Sequence, residues 1–238
     1  MDEITDLLSE KRLAKYKGIA KEDAFKCHLF NSELAESFYS SLSYFEIILR
    51  NKIDIVFSKY LGEDWIFQPQ YHLGKNEKHF NETLQRIERE KGVLYLHNRD
   101  CVISELVFGY WSYLFSSDYK EVLWNKYPTM ISEIFENSKD TILLSKISYD
   151  VNRIRLYRNK VFHYGSLLVF KDDYDKPQHM HNVIYNLLRT MGANKLSKII
   201  REVDSFDAVY LKGKQLKNAL KQERWHQLQP DKILHKDA

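Results

Sequence analysis

The residues best suited to chemistry lie in the segment 153–164, where polar side chains recur at helical spacing within an otherwise apolar run. Arginine offers a permanently charged, planar fork for phosphate oxygens. Histidine can take up and return a proton near neutral pH. Neither group needs a metal ion, so the pair suits metal-independent cleavage of a phosphodiester. We therefore take Arg158, Asn159 and His163 as the candidate catalytic residues.

The angles of an α-helix decide whether these side chains can meet. Arg155, Asn159 and His163 follow one another at intervals of four residues and share one face of a helix. Arg158 and His163 are about 140° apart around the helix axis, so they converge only if the arginine folds across or a second helix completes the site. A homodimer would supply that second helix.

This spacing alone does not establish catalysis. Basic residues on an amphipathic helix usually form a solvated face, and a single histidine is usually a structural residue. The wider pattern favours catalysis, because Asn159 directly follows Arg158 and the resulting R-N-x3-H arrangement resembles the signature of the HEPN superfamily of metal-independent ribonucleases.

Further segments resemble the Abi-like (abortive infection) family of bacterial phage-defence proteins, which belongs to the same superfamily. They occur in the order found in that family, and the resemblance extends over roughly residues 5–212. The segments are 34–53 (LAESFYSSLSYFEIILRNKI), 60–65 (YLGEDW), 104–115 (SELVFGYWSYLF) and 196–200 (LSKII).

The resemblance implies a HEPN-like helical bundle that acts on RNA as a homodimer without a cofactor. The family pattern E-x3-R-N would make Glu46, Arg50 and Asn51 face the motif helix, with Glu46 orienting an arginine and Arg50 adding a phosphate contact. Glu46 and Arg50 are also one helical turn apart, so an ordinary intrahelical ion pair is the alternative. The resemblance also raises a regulatory small RNA or an antitoxin protein as a partner.

The chain departs from the family pattern directly after His163. Many members carry a second histidine and an acidic residue there, whereas this chain has Tyr164 and Gly165. Any part of a second histidine in proton transfer is therefore in doubt, because a tyrosine hydroxyl replaces it only in part as a hydrogen-bonding group. Tyr157 and Tyr164 flank the motif and are candidates for stacking on an unpaired base, although tyrosines more often belong to the core. The remaining candidates for RNA contact are the basic residues Arg155 and Lys160.

A non-catalytic module of the same fold is the main alternative function. Its arginines would bind a small RNA or a protein partner, and the HEPN superfamily includes such members. A purely structural helical bundle is a third interpretation. Replacement of His163 by alanine separates these cases, because only the nuclease would lose its effect while still binding RNA.

Composition excludes several other classes of function. A chain of 238 residues with 44% hydrophobic residues can bury a sizeable core. The net charge is only +3, so RNA binding would depend on a local basic patch. The sequence has no glycine-rich phosphate loop, no nucleophile elbow and no carboxylate cluster for magnesium, which argues against ATP-dependent chemistry. His179 and His181 have no further ligands at suitable spacing and do not define a zinc site.

We expect a cytoplasmic protein that does not enter a membrane. Cys27 and Cys101 are far apart in sequence, which is typical of a reducing compartment rather than of a disulfide framework. No apolar run approaches the roughly 20 residues that a membrane span needs. Residues 1–6 are acidic, whereas a signal peptide begins with basic residues.

The scarcity of glycine and proline, at 8 and 4 residues, predicts an all-α fold. We expect an N-terminal helical extension over 1–30, a HEPN-like Abi domain over 31–212 and a basic helical tail over 213–238 that is frayed at its end. Residues 166–170 have the composition of a strand, but a lone short strand is unstable, so we expect an extended connection there. The predicted helices cover about 3–16, 24–29, 32–60, 76–91, 98–115, 129–135, 141–162, 178–190, 194–202, 205–212 and 214–224.

Overall fold

The regular structure of this chain is helical wherever it is described. The computed structural model describes residues 7–17, 24–138, 142–168 and 174–227, and the predicted all-α fold is confirmed. Shorter 3-10 and π turns join the α-helices at Trp65–Phe67, Pro69–Tyr71, Val93–His97, Ser117–Tyr119 and Lys120–Trp124. The α-helices in these ranges are α1 (Glu10–Lys17), α2 (Ala24–Ser37), α3 (Tyr39–Leu61), α4 (Lys75–Lys91), α5 (Arg99–Glu105), α6 (Phe108–Tyr113), α7 (Thr129–Ile134), α8 (Leu144–Phe162), α9 (Lys176–Thr190), α10 (Asn194–Glu202) and α11 (Phe206–Gln227).

Most predicted helices have the expected position. The prediction for α10 agrees at both ends, and those for α4, α7 and α9 agree within two residues. Residues 165–168 belong to no helix or strand, in agreement with the expectation of a connection after the motif helix. Four details of the predictions lie outside the described residues: the helix start at 3, the motif-helix start at 141, the connection at 169–173 and the frayed end from 228.

The prediction of one helix over residues 32–60 is wrong, because two helices occupy this region. α2 already begins at Ala24, so the predicted helix start at Ser32 lies inside it. The chain bends at Phe38, whose backbone N–H donates to the carbonyl of Ala35 at 3.1 Å. The bend turns the fully buried Phe38 ring toward Phe206, with 4.9 Å between the ring centroids. Core packing thus interrupts a pattern that is helical by sequence.

The predicted helix over residues 98–115 is also two helices. Asn98 caps α5 by accepting a hydrogen bond from the Cys101 backbone N–H at 2.9 Å. The backbone then becomes extended at Leu106, which is buried, before α6 begins. Gly109 in α6 leaves room for a neighbouring helix, since a Cβ atom there would lie 3.2 Å from His79 Nε2.

The predicted helix break at Gly213 is absent, and α11 continues to Gln227. Glycine in a helix interior is usually unfavourable. Here a Cβ atom at position 213 would overlap the Tyr174 hydroxyl, so glycine permits the close approach of that ring. Packing explains the glycine better than a helix end does.

The chain divides into two compact units that interleave in sequence. The first comprises residues 1–39, 159–181 and 203–238, and the second comprises 40–158 and 182–202. The Abi-type domain over 31–212, with its flanking extension and tail, was defined by family resemblance rather than by compactness. That domain assignment stays a prediction.

Aromatic side chains form the core of the second unit. Trp65 and Trp111 are fully buried, and Phe57 lies edge-on against Trp65 with 4.9 Å between the ring centroids. Phe115 stacks on Trp124 with an interplanar angle of 9°. Buried rings of this size contribute strongly to the hydrophobic free energy of folding.

A buried histidine–aspartate contact lies in the core of the first unit. His181 Nε2 is 2.7 Å from Asp204 Oδ2, and the two side chains are 1% and 2% exposed. The imidazole stacks on Phe206 at 4.0 Å, and Asp204 Oδ1 also accepts a hydrogen bond from the Phe206 backbone N–H. The pair therefore ties α9 to the start of α11. None of the described helices is both long and apolar enough to cross a membrane.

Candidate functional site

The motif helix α8 ends immediately before His163, in a turn with defined geometry. Four apolar residues anchor the helix: Ile147, Val151, Ile154 and Val161 are buried. His163 is exposed, and its backbone N–H still donates to the carbonyl of Asn159 at 3.0 Å. The Gly165 N–H reaches back to the carbonyl of Lys160 at 2.7 Å, and Tyr164 adopts a positive φ of 59°. This is a Schellman-type helix end.

The residue with positive φ in this turn is a tyrosine, whereas glycine is usual there. Glycine follows at 165 for a different reason. A Cβ atom at Gly165 would lie 3.0 Å from the Cα of Lys160 and 3.1 Å from its carbonyl oxygen, which is tighter than most Cβ contacts and would require the backbone to shift by a few tenths of an ångström. The Tyr164–Gly165 pair thus determines how the chain leaves the helix after His163.

Asn31 of α2 holds the same turn from the other side. Its Nδ2 donates to the carbonyl of Gly165 at 3.2 Å, and its Oδ1 accepts from the Leu167 N–H at 2.7 Å. Asn31 is only 4% exposed. Because both ends of one buried amide are engaged, the backbone that follows His163 is fixed in position.

Helix α1 contributes an arginine beside the turn. The guanidinium carbon of Arg12 lies 5.8 Å from the centroid of the Tyr164 ring, within range of a cation–π interaction. Tyr16, one turn further along α1, is buried and hydrogen-bonds to Ser166. Burial is the main cause of the raised pKa of the Tyr16 hydroxyl. On the helix side, Phe162 packs against Tyr39 with 5.6 Å between ring centroids.

Arg158 pairs with a carboxylate of helix α3. Its Nε is 3.4 Å from Glu46 Oε2, and the two side chains are 29% and 24% exposed. Burial raises the pKa of the Glu46 carboxyl, and the positive charges of Arg158 and Arg50 oppose that rise. Glu46 thus faces the motif arginine, which is the arrangement expected from the E-x3-R-N pattern.

The other two residues of that pattern lie beside each other on α3. Arg50 Nε donates to Asn51 Oδ1 at 3.3 Å, and Arg50 Nη1 donates to the carbonyl of Ser104 at 3.3 Å. Arg50 is therefore held partly by the backbone of α5. Asn51 is exposed.

The remaining predicted residues line α8 itself. Arg155 forms two hydrogen bonds to Asn152 Oδ1, from Nε at 3.2 Å and from Nη2 at 2.8 Å. Lys160 is exposed, and Tyr157 and Asn159 are half-buried. The boundary between the two compact units falls between Arg158 and Asn159, so Arg155 and Arg158 belong to the second unit and His163 to the first.

Three residues near the motif were missed by sequence reasoning: Arg12, Asn31 and His79. Arg12 and Asn31 contact the turn after His163 from more than 130 positions away. Burial lowers the pKa of His79, and the positive charge of Arg155 lowers it further. No local pattern marks any of them, since their positions follow from tertiary packing.

The arrangement offers an exposed imidazole in a fixed turn and an arginine balanced by a carboxylate. Within the described residues no group of three or more His, Cys, Asp or Glu side chains could hold a metal ion. Comparison of the chain with protein-family models, curated proteins and solved structures finds no match.

Proposed function

We propose that this protein is a HEPN-type, metal-independent endoribonuclease of a bacterial phage-defence or toxin system. The observation that carries the proposal is the combination of an exposed His163 in a fixed helix-end turn with a motif arginine, Arg158, on the preceding helical turn. Histidine and arginine together supply proton transfer and phosphate binding.

In the proposed reaction, an RNA 2′-oxygen attacks the adjacent phosphorus while the bond from phosphorus to the 5′-oxygen breaks. The 2′-hydroxyl proton leaves with a base, and the departing 5′-oxygen receives a proton from an acid. His163 acts either as the base or as the acid, and the His163 of a second subunit or a water molecule has the other role. The products are a 2′,3′-cyclic phosphate and a 5′-hydroxyl.

In this mechanism Arg158 stabilises the negative charge on the phosphate. Negative charge grows on the non-bridging phosphate oxygens in the transition state, and a well-aimed cation there stabilises it by about 3–4 kcal/mol. Glu46 would hold the guanidinium in position through the 3.4 Å ion pair. Asn159 would orient the histidine or the phosphate by hydrogen bonds, and Arg50 would add a further phosphate contact.

We propose a homodimer with a composite active site as the working form. On an ideal helix Arg158 and His163 point about 140° apart, so one copy of α8 does not readily bring both side chains to the same phosphate. A second copy of α8 would supply the missing partner. A small RNA or an antitoxin protein that covers the same surface would restrain such an enzyme.

The Glu46 ion pair also supports a second candidate function. A guanidinium that is already neutralised by a carboxylate is less available to a phosphate, as expected in a non-catalytic RNA-binding or protein-interaction module of this fold. In that case His163 would contribute to binding but not to a reaction.

Variant kinetics distinguish the two functions. Wild-type protein, His163→Ala and Arg158→Ala are incubated with single-stranded and structured RNAs in EDTA, and RNA binding is measured in parallel. His97→Ala is the matched control, because His97 is also exposed but lies far from the motif in sequence. The nuclease predicts that His163→Ala abolishes cleavage while binding is retained, and that Arg158→Ala slows cleavage at least 100-fold. The binding module predicts no cleavage by any variant and weaker binding by Arg158→Ala.

A further inference from the structure

The side chain of Tyr164 is in an unusual position for a large aromatic residue. Its φ of 59° is a conformation that bulky residues rarely adopt, and 74% of the residue is exposed. Burial of the ring therefore does little to offset the unfavourable backbone. Unfavourable backbone conformations are found most often at binding and catalytic sites, where packing does not offset their cost.

Arg12 extends the surface around this ring. Its guanidinium carbon is 5.8 Å from the Tyr164 ring centroid, and Arg12 is itself exposed on α1. The two side chains combine a flat aromatic face with a positive charge. Most of the ring remains open to solvent, because the residue is 74% exposed despite this contact.

The ring also follows His163 directly in the chain. The turn that carries both residues is held by the two hydrogen bonds of Asn31 and by the Gly165–Lys160 bond. A group stacked on Tyr164 would therefore have a defined position relative to the imidazole. The preferred partners of such a surface are a planar base and the phosphate attached to it.

We propose that Tyr164 and Arg12 form the binding site for one unpaired nucleobase beside the scissile phosphate, with Tyr164 stacking on the base and Arg12 contacting its phosphate. The substrate class is then single-stranded or looped RNA, because bases stacked within a duplex do not expose their faces. This inference rests on the proposed ribonuclease function for the identity of the scissile phosphate. Its binding step can be measured without cleavage.

The chain offers a control pair of the same residue types on α8. Tyr149 is 61% exposed, and the guanidinium carbon of Arg153 lies 5.1 Å from its ring centroid. This pair lies within regular helix, between the start and the middle of α8, and Arg153 Nη1 is also 3.9 Å from Asp150 Oδ1. The Tyr149→Ala and Arg153→Ala variants thus remove an equivalent pair elsewhere.

The binding test uses a 2′-fluoro oligonucleotide that contains 2-aminopurine and lacks the 2′-hydroxyl needed for cleavage. The fluorescence of 2-aminopurine falls when it stacks on an aromatic ring. We expect wild-type protein to quench the single strand and to bind it at least tenfold more tightly than the same strand in a duplex. Tyr164→Gly should remove the quenching and weaken binding about fivefold or more, Tyr164→Phe should retain both, and Tyr149→Ala should behave as wild type. Arg12→Ala should weaken binding, and more salt should reduce the difference from wild type.

Two outcomes would overturn the inference. One is equal binding of single strand and duplex, and the other is unchanged quenching and affinity in Tyr164→Gly. Cleavage of natural RNA is measured separately with the same proteins. If wild-type protein quenches the single strand but cuts no RNA, the ribonuclease proposal fails while the base-binding site remains. If it cuts RNA but Tyr164→Gly binds and cuts equally well, the base-binding site fails alone.

Discussion

At the scale of single residues, the turn after the motif helix combines two opposite requirements. Glycine is favoured at 165 because a Cβ atom there would crowd the backbone of Lys160, whereas the position with positive φ is held by the exposed Tyr164. The sequence alone showed only that Tyr164 and Gly165 follow His163. The conformational reason for the glycine, and the unfavourable backbone of the tyrosine, became visible only in the structure.

The conformation at Tyr164 predicts an uneven response to substitution. A β-branched residue is especially unfavourable at positive φ, so Tyr164→Val should lower the free energy of unfolding by about 1–2 kcal/mol. Tyr164→Gly should change it by less than about 1 kcal/mol, because the relieved backbone offsets the lost ring contact and the greater chain entropy. Urea denaturation of the three proteins measures both changes. Equal stability of the valine and glycine variants would show that this backbone conformation is not required.

At the scale of secondary-structure elements, helix α2 supports the end of helix α8 through one side chain. Asn31 precedes the predicted helix start at 32, and its side chain spans the turn from Gly165 to Leu167. Its partners are more than 130 residues away, so hydrophobic periodicity could not reveal this role. The broken helices have the same explanation, since the burial of Phe38 and Leu106 overrides a continuous helical pattern.

Loss of the Asn31 amide should affect both stability and the proposed reaction. Asn31→Ala leaves the Gly165 carbonyl and the Leu167 N–H without their partner, which should lower the free energy of unfolding by about 1–3 kcal/mol. Asn31→Asp keeps the acceptor for Leu167 but loses the donor to Gly165. At a pH where its carboxyl is ionised it should be at least as destabilising as Asn31→Ala, because the site is buried and the carboxylate faces the Gly165 carbonyl oxygen without a proton to donate. The measurements are urea denaturation and the rate of RNA cleavage.

The exposed Ser32, which follows Asn31 on α2, provides a matched comparison. Ser32→Ala should change stability by less than about 0.5 kcal/mol, as surface substitutions usually do. If Asn31→Ala proved as mild as Ser32→Ala, the two hydrogen bonds would not be needed to hold the turn.

At the scale of the whole molecule, composition and periodicity were enough to predict an all-α chain and most helix positions. The predicted boundaries of α10 agree with the structure at both Asn194 and Glu202. The division into two interleaved units was not predictable, because each unit collects segments distant in sequence. Of the candidate residues, those of the motif were chosen from spacing, whereas the contact of Arg12 with Tyr164 depends on packing between segments distant in sequence.

Stability against pH provides a test of the core of the second unit. His72 is buried, stacks on Phe80 at 3.9 Å, and its Nε2 donates to the Ile66 carbonyl at 2.8 Å. The Tyr110 hydroxyl and His72 Nδ1 are 3.2 Å apart. Burial lowers the pKa of His72, and the bond to Ile66 and the charge of Glu77 oppose this only in part.

The sign of the pH effect follows from that lowered pKa. Below about pH 6.5 the unfolded chain binds a proton that the folded His72 does not, so stability falls as the pH drops toward the folded pKa. This residue changes the free energy of unfolding by at most about 1.4 kcal/mol per pH unit. Above about pH 6.5 it causes no further change with pH, because it is neutral in both the folded and the unfolded chain. His72→Gln should be less stable at neutral pH but should lose less stability between pH 6.5 and 5. An equally steep loss in the variant would show that His72 is not the group responsible.

The product ends of RNA cleavage test the central claim most directly. End-labelled single-stranded RNA is incubated in EDTA with wild-type protein or His163→Ala, and the cut site and both new ends are mapped. The same RNA with a single 2′-deoxy nucleotide at the cut site is the substrate control. We predict a 2′,3′-cyclic phosphate and a 5′-hydroxyl from wild type alone, and no cut at the deoxy position. Cleavage by His163→Ala at the wild-type rate, or cleavage at the deoxy position, would contradict a ribonuclease mechanism that uses His163.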